Sequence, residues 1–131
     1  MTVSQAQVKR MVAKWQRKLG LTEWDITAEA IPAKRIDAEG DLGDCWSDIS
    51  TLAATIRVAT AEHSAAEVET TVAHEVLHVL LAELTYAGNN AAECLGGDAK
   101  ALAGRAIDTA NERTVRRLEK LLCPPEATDE T

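Results

Sequence analysis

Phenylalanine is absent from this chain of 131 residues, and three tryptophans and one tyrosine are its only aromatics, 3% of the total. A core without many large rings must be filled by Val, Leu, Ile and Ala, which favours closely packed helices. Basic clusters are also lacking. The densest is the pair in "RRLEK", within a net charge of −7 and a pI near 4.9. This excludes the phosphate-binding surface that a nucleic-acid partner requires. The three cysteines, Cys45, Cys94 and Cys123, are odd in number and form no CxxC pair. A zinc knuckle and a disulfide framework are thereby excluded, and free thiols in a reducing cytoplasm are expected. The longest apolar run, "VLHVLLA", falls far short of the roughly 20 residues that span a bilayer, so no membrane partner is expected. The opening "MTVSQAQVKRMVAKWQRKLG" carries charges throughout and lacks the apolar centre of a signal peptide. The expected location is cytoplasmic.

What remains is an ordinary globular composition, 46% hydrophobic and 27% charged, at a length suited to one modest core. Ser4 is a candidate N-cap for a helix reaching about Leu19, with Gly20 as its stop. Val8, Met11, Val12, Trp15 and Leu19 form its buried stripe. "WDITAEAIP" alternates apolar and polar residues and reads as a strand closed by Pro32, and "AKRIDAEGDLGD" reads as a loop. "CWSDI" and "TLAATIRVA" are a second and a third strand. Ser64 and Glu67 make a capping box for a long helix. Nothing interrupts it until about Ala87, where Gly88, Asn89 and Asn90 end it. Asp98 is a candidate cap for a last helix ending near Leu122. The expectation is one α+β domain over residues 1–123, with 124–131 as a disordered tail.

The long helix carries the unusual feature, "TTVAHEVLHVLL" from Thr70 to Leu81. His74 and His78 are four residues apart, hence one helical turn apart on one side, where both imidazoles reach a single metal ion. Glu75, one position round from His74, can touch a water in the open coordination position. This HExxH arrangement is the one zinc metallopeptidases use. Burying three ionisable groups together without a partner costs several kcal/mol, and a metal ion removes that cost. The opposing reading is two core histidines beside a glutamate. Thr71 and Val72 before the motif, Val76 and Leu77 within it, and Val79 and Leu80 after it are all uncharged, so the helix runs unbroken and dry through the site.

On these residues the sequence resembles the zincin superfamily, whose extended signature "TVAHEVLHVL" matches at every position. More narrowly it is similar to the small zincin-like metallopeptidases of phages and prophages. That resemblance implies a minimal zincin-like fold: an N-terminal helix, a small three-stranded sheet, the HExxH helix and a C-terminal helix. It implies a zinc ion (Zn2+) held by His74 and His78, with Glu75 as general base, acting on peptide or protein substrates. It also implies a third ligand, and "NERTVRRLEKLL" offers Glu112 in an E-x-x-V-x-x-L stretch like the family's downstream helix. Glu112 lies about 60° from Val115 on the helical wheel, at the edge of the apolar stripe. Glu93, Asp108, Cys94 and Asp98 remain alternatives. His63 stands eleven residues before His74, about 16 Å along a helix, too far to share the ion. No histidine follows His78, which excludes the three-histidine sites of metzincins and SprT-like proteases. The strand leading into the helix, "TLAATIRVA", is the resemblance's candidate for the edge that pairs with an extended substrate.

Elsewhere the expectations are plainer. Trp15, Trp24 and Trp46 are expected to pack in the core or at its rim. His63 beside Ser64 is expected at a solvated helix start, with a place near the oxyanion as its alternative. Tyr86, two turns beyond His78, would come near the metal only if the chain folds back. The rival to an enzyme is a non-catalytic phage or prophage structural or regulatory module. Its motive is the chain's small size, and its mark would be a closed metal site with Cys94 or Glu93 joining Glu112.

Overall fold

A computed structural model describes residues 2–123, and the tail expected to be disordered, 124–131, lies outside the described residues. The chain runs through α1 (Gln5–Lys18), β1 (Asp25–Ile31), β2 (Gly43–Asp48), β3 (Ala53–Ala59), α2 (Ala65–Leu80), α3 (Ala82–Glu93) and α4 (Gly97–Leu122). Four helices and a three-stranded mixed sheet make an α+β architecture. Among the described residues no helix is long and apolar enough to cross a membrane.

Helix α1 begins at a reciprocal cap. The Gln7 N–H donates to Ser4 Oγ at 3.1 Å, and the Ser4 N–H donates to Gln7 Oε1 at 2.8 Å, so two otherwise orphaned donors are satisfied. It ends where Gly20 adopts a φ of +71°, the left-handed conformation that glycine reaches without strain. Val8, Val12 and Trp15 are buried, and the Trp15 indole N–H donates to Glu69 of α2 at 3.1 Å. This stripe packs under β1 and α2 with Ile56, Val58, Val68, Val72 and Val76. Each such side chain taken from water contributes about 1.5–3 kcal/mol.

The sheet order is β1-β3-β2, with β1 parallel and β2 antiparallel to β3. The third strand is therefore central, not the free edge expected from the resemblance, because β1 and β2 occupy both of its hydrogen-bonding sides. The edge strand beside α2 is β2, which begins at Gly43, two residues before the expected "CWSDI". Gly43 lies so close to α2 that an added Cβ would stand 2.7 Å from Thr71 Cγ2 and 3.2 Å from Glu75 Cγ. Trp15 and Trp24 lie in the core at 2% and 4% exposure, but Trp46 is 81% exposed, against the expectation that all three would pack. Its β2 position points it to the sheet face that carries no helix.

The single long helix expected from Ser64 is two helices. Ser64 and Glu67 cap α2 reciprocally at 3.1 and 2.7 Å, but α2 ends at Leu80, and Leu81 (φ −92°, ψ 3°) joins it to α3. No glycine or proline marks this bend. Packing explains it, because α3 turns to lie on α4, where Ile107 comes within 3.3 Å of the place a Gly88 Cβ would take. Gly88 thus serves close packing in mid-helix and does not stop the chain, and α3 continues to Glu93. Helix α4 is capped by Gly96 and not by Asp98, whose carboxylate instead occupies the first turn, where it complements the helix dipole.

Candidate metal centre

Helix α2 presents His74 and His78 on one side, with ring centroids 5.0 Å apart and planes crossed at 67°. Both rings are partly enclosed, at 22% and 21% side-chain exposure. Helix α4 crosses this face and brings Glu112 between them. Glu112 Oε1 lies 3.5 Å from His74 Nε2, and its Oε2 lies 3.2 Å from His78 Nε2. One ligand atom from each of the three residues falls within 4.8 Å of the others. In a tetrahedral zinc site with bonds of 2.0–2.2 Å, neighbouring ligand atoms are about 3.3–3.5 Å apart. Two imidazole nitrogens and a carboxylate at these spacings fit a divalent cation, although the donor set alone does not choose zinc over other divalent ions.

The second nitrogen of His74 has a carboxylate partner. His74 Nδ1 is 2.8 Å from Glu119 Oε1, seven residues and two turns beyond Glu112 on α4. This carboxylate fixes the ring so that Nε2 faces the candidate ion. Beside His78 stands Asn111, whose amide N–H donates to Thr85 Oγ1. That bond turns Asn111 Oδ1 toward the His78 ring, where it is buried with no partner in full hydrogen-bond geometry. Burial, opposed by Glu112, holds the His78 imidazolium below its usual range, which favours the neutral ring that binds metal. Glu119→Gln is expected to weaken metal binding about 10–100-fold with the fold intact, measured by competition with a chromophoric chelator. Unchanged affinity would remove Glu119 from the site.

Glu75 is buried at 7% exposure. Desolvation, then the carboxylates of Asp44, Glu112, Asp41 and Glu119, push its pKa up to about 8. Such a concentration of acidic groups is one that a bound cation would compensate. Cys45 of β2 is near Glu75, and burial raises its thiol pKa to about 12; it does not belong to the three-residue group.

The other candidates lie elsewhere. Glu93 pairs with Lys100 at 2.8 Å, Cys94 is exposed at the end of α3, and Asp98 and Asp108 are exposed on α4. None belongs to the three-residue group. His63 stands at the helix start as expected, directly before the cap Ser64 and partly exposed, with its Nε2 2.9 Å from the Lys34 carbonyl oxygen; it does not line the cavity. Tyr86 lines the cavity that opens over the cluster, on the helix that follows the bend at Leu81.

A cavity of about 1060 Å³ opens over the cluster, lined by residues of all three strands and of α2, α3 and α4. Tyr86, Asn89 and Asn111 line it with Arg116, its only lysine or arginine among the described residues. Four features of this site are not foreseen from the sequence: Glu119, Asn111, Arg116 and the β2 edge. Glu112 and Glu119, seven residues apart, stand about 20° apart on the wheel, so this carboxylate pair was a readable signal. No family model, curated protein or solved structure matches the chain.

Proposed function

We propose that this chain is a zinc-dependent peptidase of zincin type, with His74, His78 and Glu112 as metal ligands and Glu75 as general base. One observation carries the reading: a three-donor cluster with a buried glutamate beside it opens onto a large cavity. A site built only to hold the fold together would be closed by a fourth ligand, and neither Glu93 nor Cys94 belongs to this cluster or lines its cavity. A zinc ion held there acts as a Lewis acid and makes water acidic enough to ionise near pH 7.

The chain's own groups supply the rest. Glu75 takes a proton from the attacking water and passes it to the departing amine. Glu119 holds the His74 imidazole in orientation, and Asn111 stands beside the His78 ring. Arg116 stands one turn beyond Glu112, on the same side of α4. A glutamate and an arginine at this spacing ordinarily form an ion pair along a helix, but Glu112 is turned to the histidines and no carboxylate pairs with Arg116 among the described residues. Its guanidinium is free to meet negative charge developing on the substrate carbonyl oxygen. Arg116→Gln is expected to lower kcat about 10²–10³-fold with KM little changed, read from steady-state kinetics. A raised KM at constant kcat would instead make Arg116 a substrate-binding group.

Substrate backbone has one obvious partner. The Ala59 N–H donates to the Leu42 carbonyl at 2.8 Å, so alternation along β2 turns the N–H and C=O of Gly43, Cys45 and Ser47 outward. The other outer strand is closed, because the Gln5 amide bonds both the Ala28 carbonyl and the Ala30 N–H at 2.7 Å. An extended peptide therefore adds to β2, beside Glu75. The test is zinc content together with cleavage of an unfolded polypeptide. Equimolar zinc and turnover that disappears in Glu75→Gln support the reading, and turnover that survives in a variant still holding zinc rejects it.

A further inference from the structure

The sheet has one bare face. In the cross-strand register, Asp25 of β1 aligns with Ala53 and Asp48, Thr27 with Thr55 and Trp46, and Glu29 with Arg57 and Asp44. These three rows all point away from α1 and α2. Arg57 sits in the last row and makes a two-pronged ion pair with Asp44, next to Glu29. The first row, Asp48 and Asp25, has no such cation. The Ser50 N–H and hydroxyl hold Asp48 Oδ1 at 2.9 and 2.7 Å, and Thr51 stands beside the same carboxylate, but no cation pairs with it among the described residues. Between the two rows lies the Trp46 indole at 81% exposure.

Carboxylates on an edge strand are accounted for as protection against edge-to-edge pairing. A wet indole between them is not, because it adds an apolar template to the same edge. The electron-rich face of tryptophan, flanked by uncompensated carboxylates, suits an ammonium or guanidinium group. The surface is also continuous with the candidate centre, since Asp25, Trp46 and Asp48 line the cavity that contains His74, Glu75 and Glu112.

We propose that Trp46, Asp48 and Asp25 form a subsite for a lysine or arginine side chain of an extended polypeptide, so that basic polypeptides are the substrates of this site. The proposal rests on the peptidase reading for the word substrate, but its binding geometry stands on the sheet alone. A strand added to the free edge of β2 lies about 4.8 Å away and alternates its side chains between faces. Trp46 is one of the residues whose backbone bonds point inward, so on the outer edge it occupies a non-hydrogen-bonded position. Opposed side chains approach most closely at such positions. The substrate residue opposite Trp46 lays its alkyl stem along the indole, with its charge beside Asp48 and Asp25. Its two neighbours point the other way, toward Glu75 and the histidines.

The test titrates the full zinc-loaded chain carrying Glu75→Gln with an acetylated alternating alanine–lysine hexapeptide amide and with its alanine–glutamate counterpart. Binding is read by calorimetry and, where the indole is kept, by the red-edge emission of Trp46, since Trp15 and Trp24 are buried. The lysine peptide is expected to bind about tenfold or more tightly than the glutamate peptide, to shift Trp46 emission, and to weaken in high salt. Trp46→Ala and Asp48→Asn, both at exposed positions, are each expected to erase most of that preference. Equal binding of the two peptides, or a preference that survives both substitutions, overturns the subsite. Lysine-peptide binding at Trp46 in a chain whose unsubstituted form cleaves nothing retires the peptidase reading and keeps the subsite. Cleavage without preference for basic residues does the opposite.

Discussion

Replacing Glu75 by glutamine is expected to lower peptide hydrolysis about 10²–10⁴-fold, the usual contribution of a positioned general base, while zinc stays bound. The amide has nearly the size of the carboxylate but cannot take a proton, so the loss falls on kcat. The same substitution should change the stability of the metal-free protein in a direction the structure dictates. Burial and four neighbouring carboxylates hold the folded-state pKa of Glu75 at about 8, above the ordinary value of 4.5. The folded chain therefore keeps a proton that the unfolded chain releases. Its contribution is fully present below about pH 4.5 and is lost as pH rises through about 8, on the order of 5 kcal/mol across the window. Glutamine has no proton to lose, so the variant should be nearly flat over that window where the parent declines. Urea unfolding at pH 5 and pH 8 in the presence of a chelator measures both. Parallel pH profiles for the two proteins would mean that Glu75 is not enclosed as described.

Removing the metal, or the carboxylate that completes its ligand set, should have the largest effect on thermal stability. A cation that binds only the folded chain stabilises it by about 2.7 kcal/mol at one hundred times its dissociation constant. In a domain of this size that is roughly 10 °C in Tm. Chelation should therefore lower Tm by about that amount, and restored zinc should reverse it. Glu112→Gln should abolish most of the shift, because its two oxygens lie 3.5 and 3.2 Å from the imidazole nitrogens. Its cost in affinity should exceed the roughly 10–100-fold typical of an outer orienting partner. Glu93→Gln and Asp108→Asn should leave the shift intact, since Glu93 is tied to Lys100 and Asp108 is exposed. A Glu112→Gln protein with undiminished zinc-dependent stabilisation would eliminate that residue as a ligand. The thermal measurement is independent of turnover, so it judges the metal site even if no substrate is found.

Several elements were legible because the signals are local. Ser4 with Gln7 and Ser64 with Glu67 are caps made within one helical turn, and Gly20 ends α1 through its own backbone freedom. The four-residue spacing that puts His74 and His78 on one side of a helix is likewise a property of the helix alone. Others were misread because their causes are distant in sequence. The bend at Leu81 has no local breaker and follows from α3 packing on α4. Gly88, read as a stop, is a contact point for Ile107. "TLAATIRVA" was taken for an edge although its strong apolar alternation marks a strand enclosed by neighbours. Trp46 reads as a packing residue until the register puts it on the bare face of the sheet.

By itself the sequence determined the class of architecture, both capped helix starts and the side-by-side placement of His74, Glu75 and His78. All of these depend on interactions spanning at most a few residues. The tertiary structure alone decided that Glu112, rather than Glu93, Asp108, Asp98 or Cys94, stands with the histidines. It also set Glu119 and Asn111 behind the two rings and left β2 as the open edge. Those are outcomes of how α4 crosses α2 and of which strand takes the middle of the sheet. Both are settled by the burial of apolar stripes far apart in the chain, and such long-range packing leaves no fixed spacing in the sequence to read.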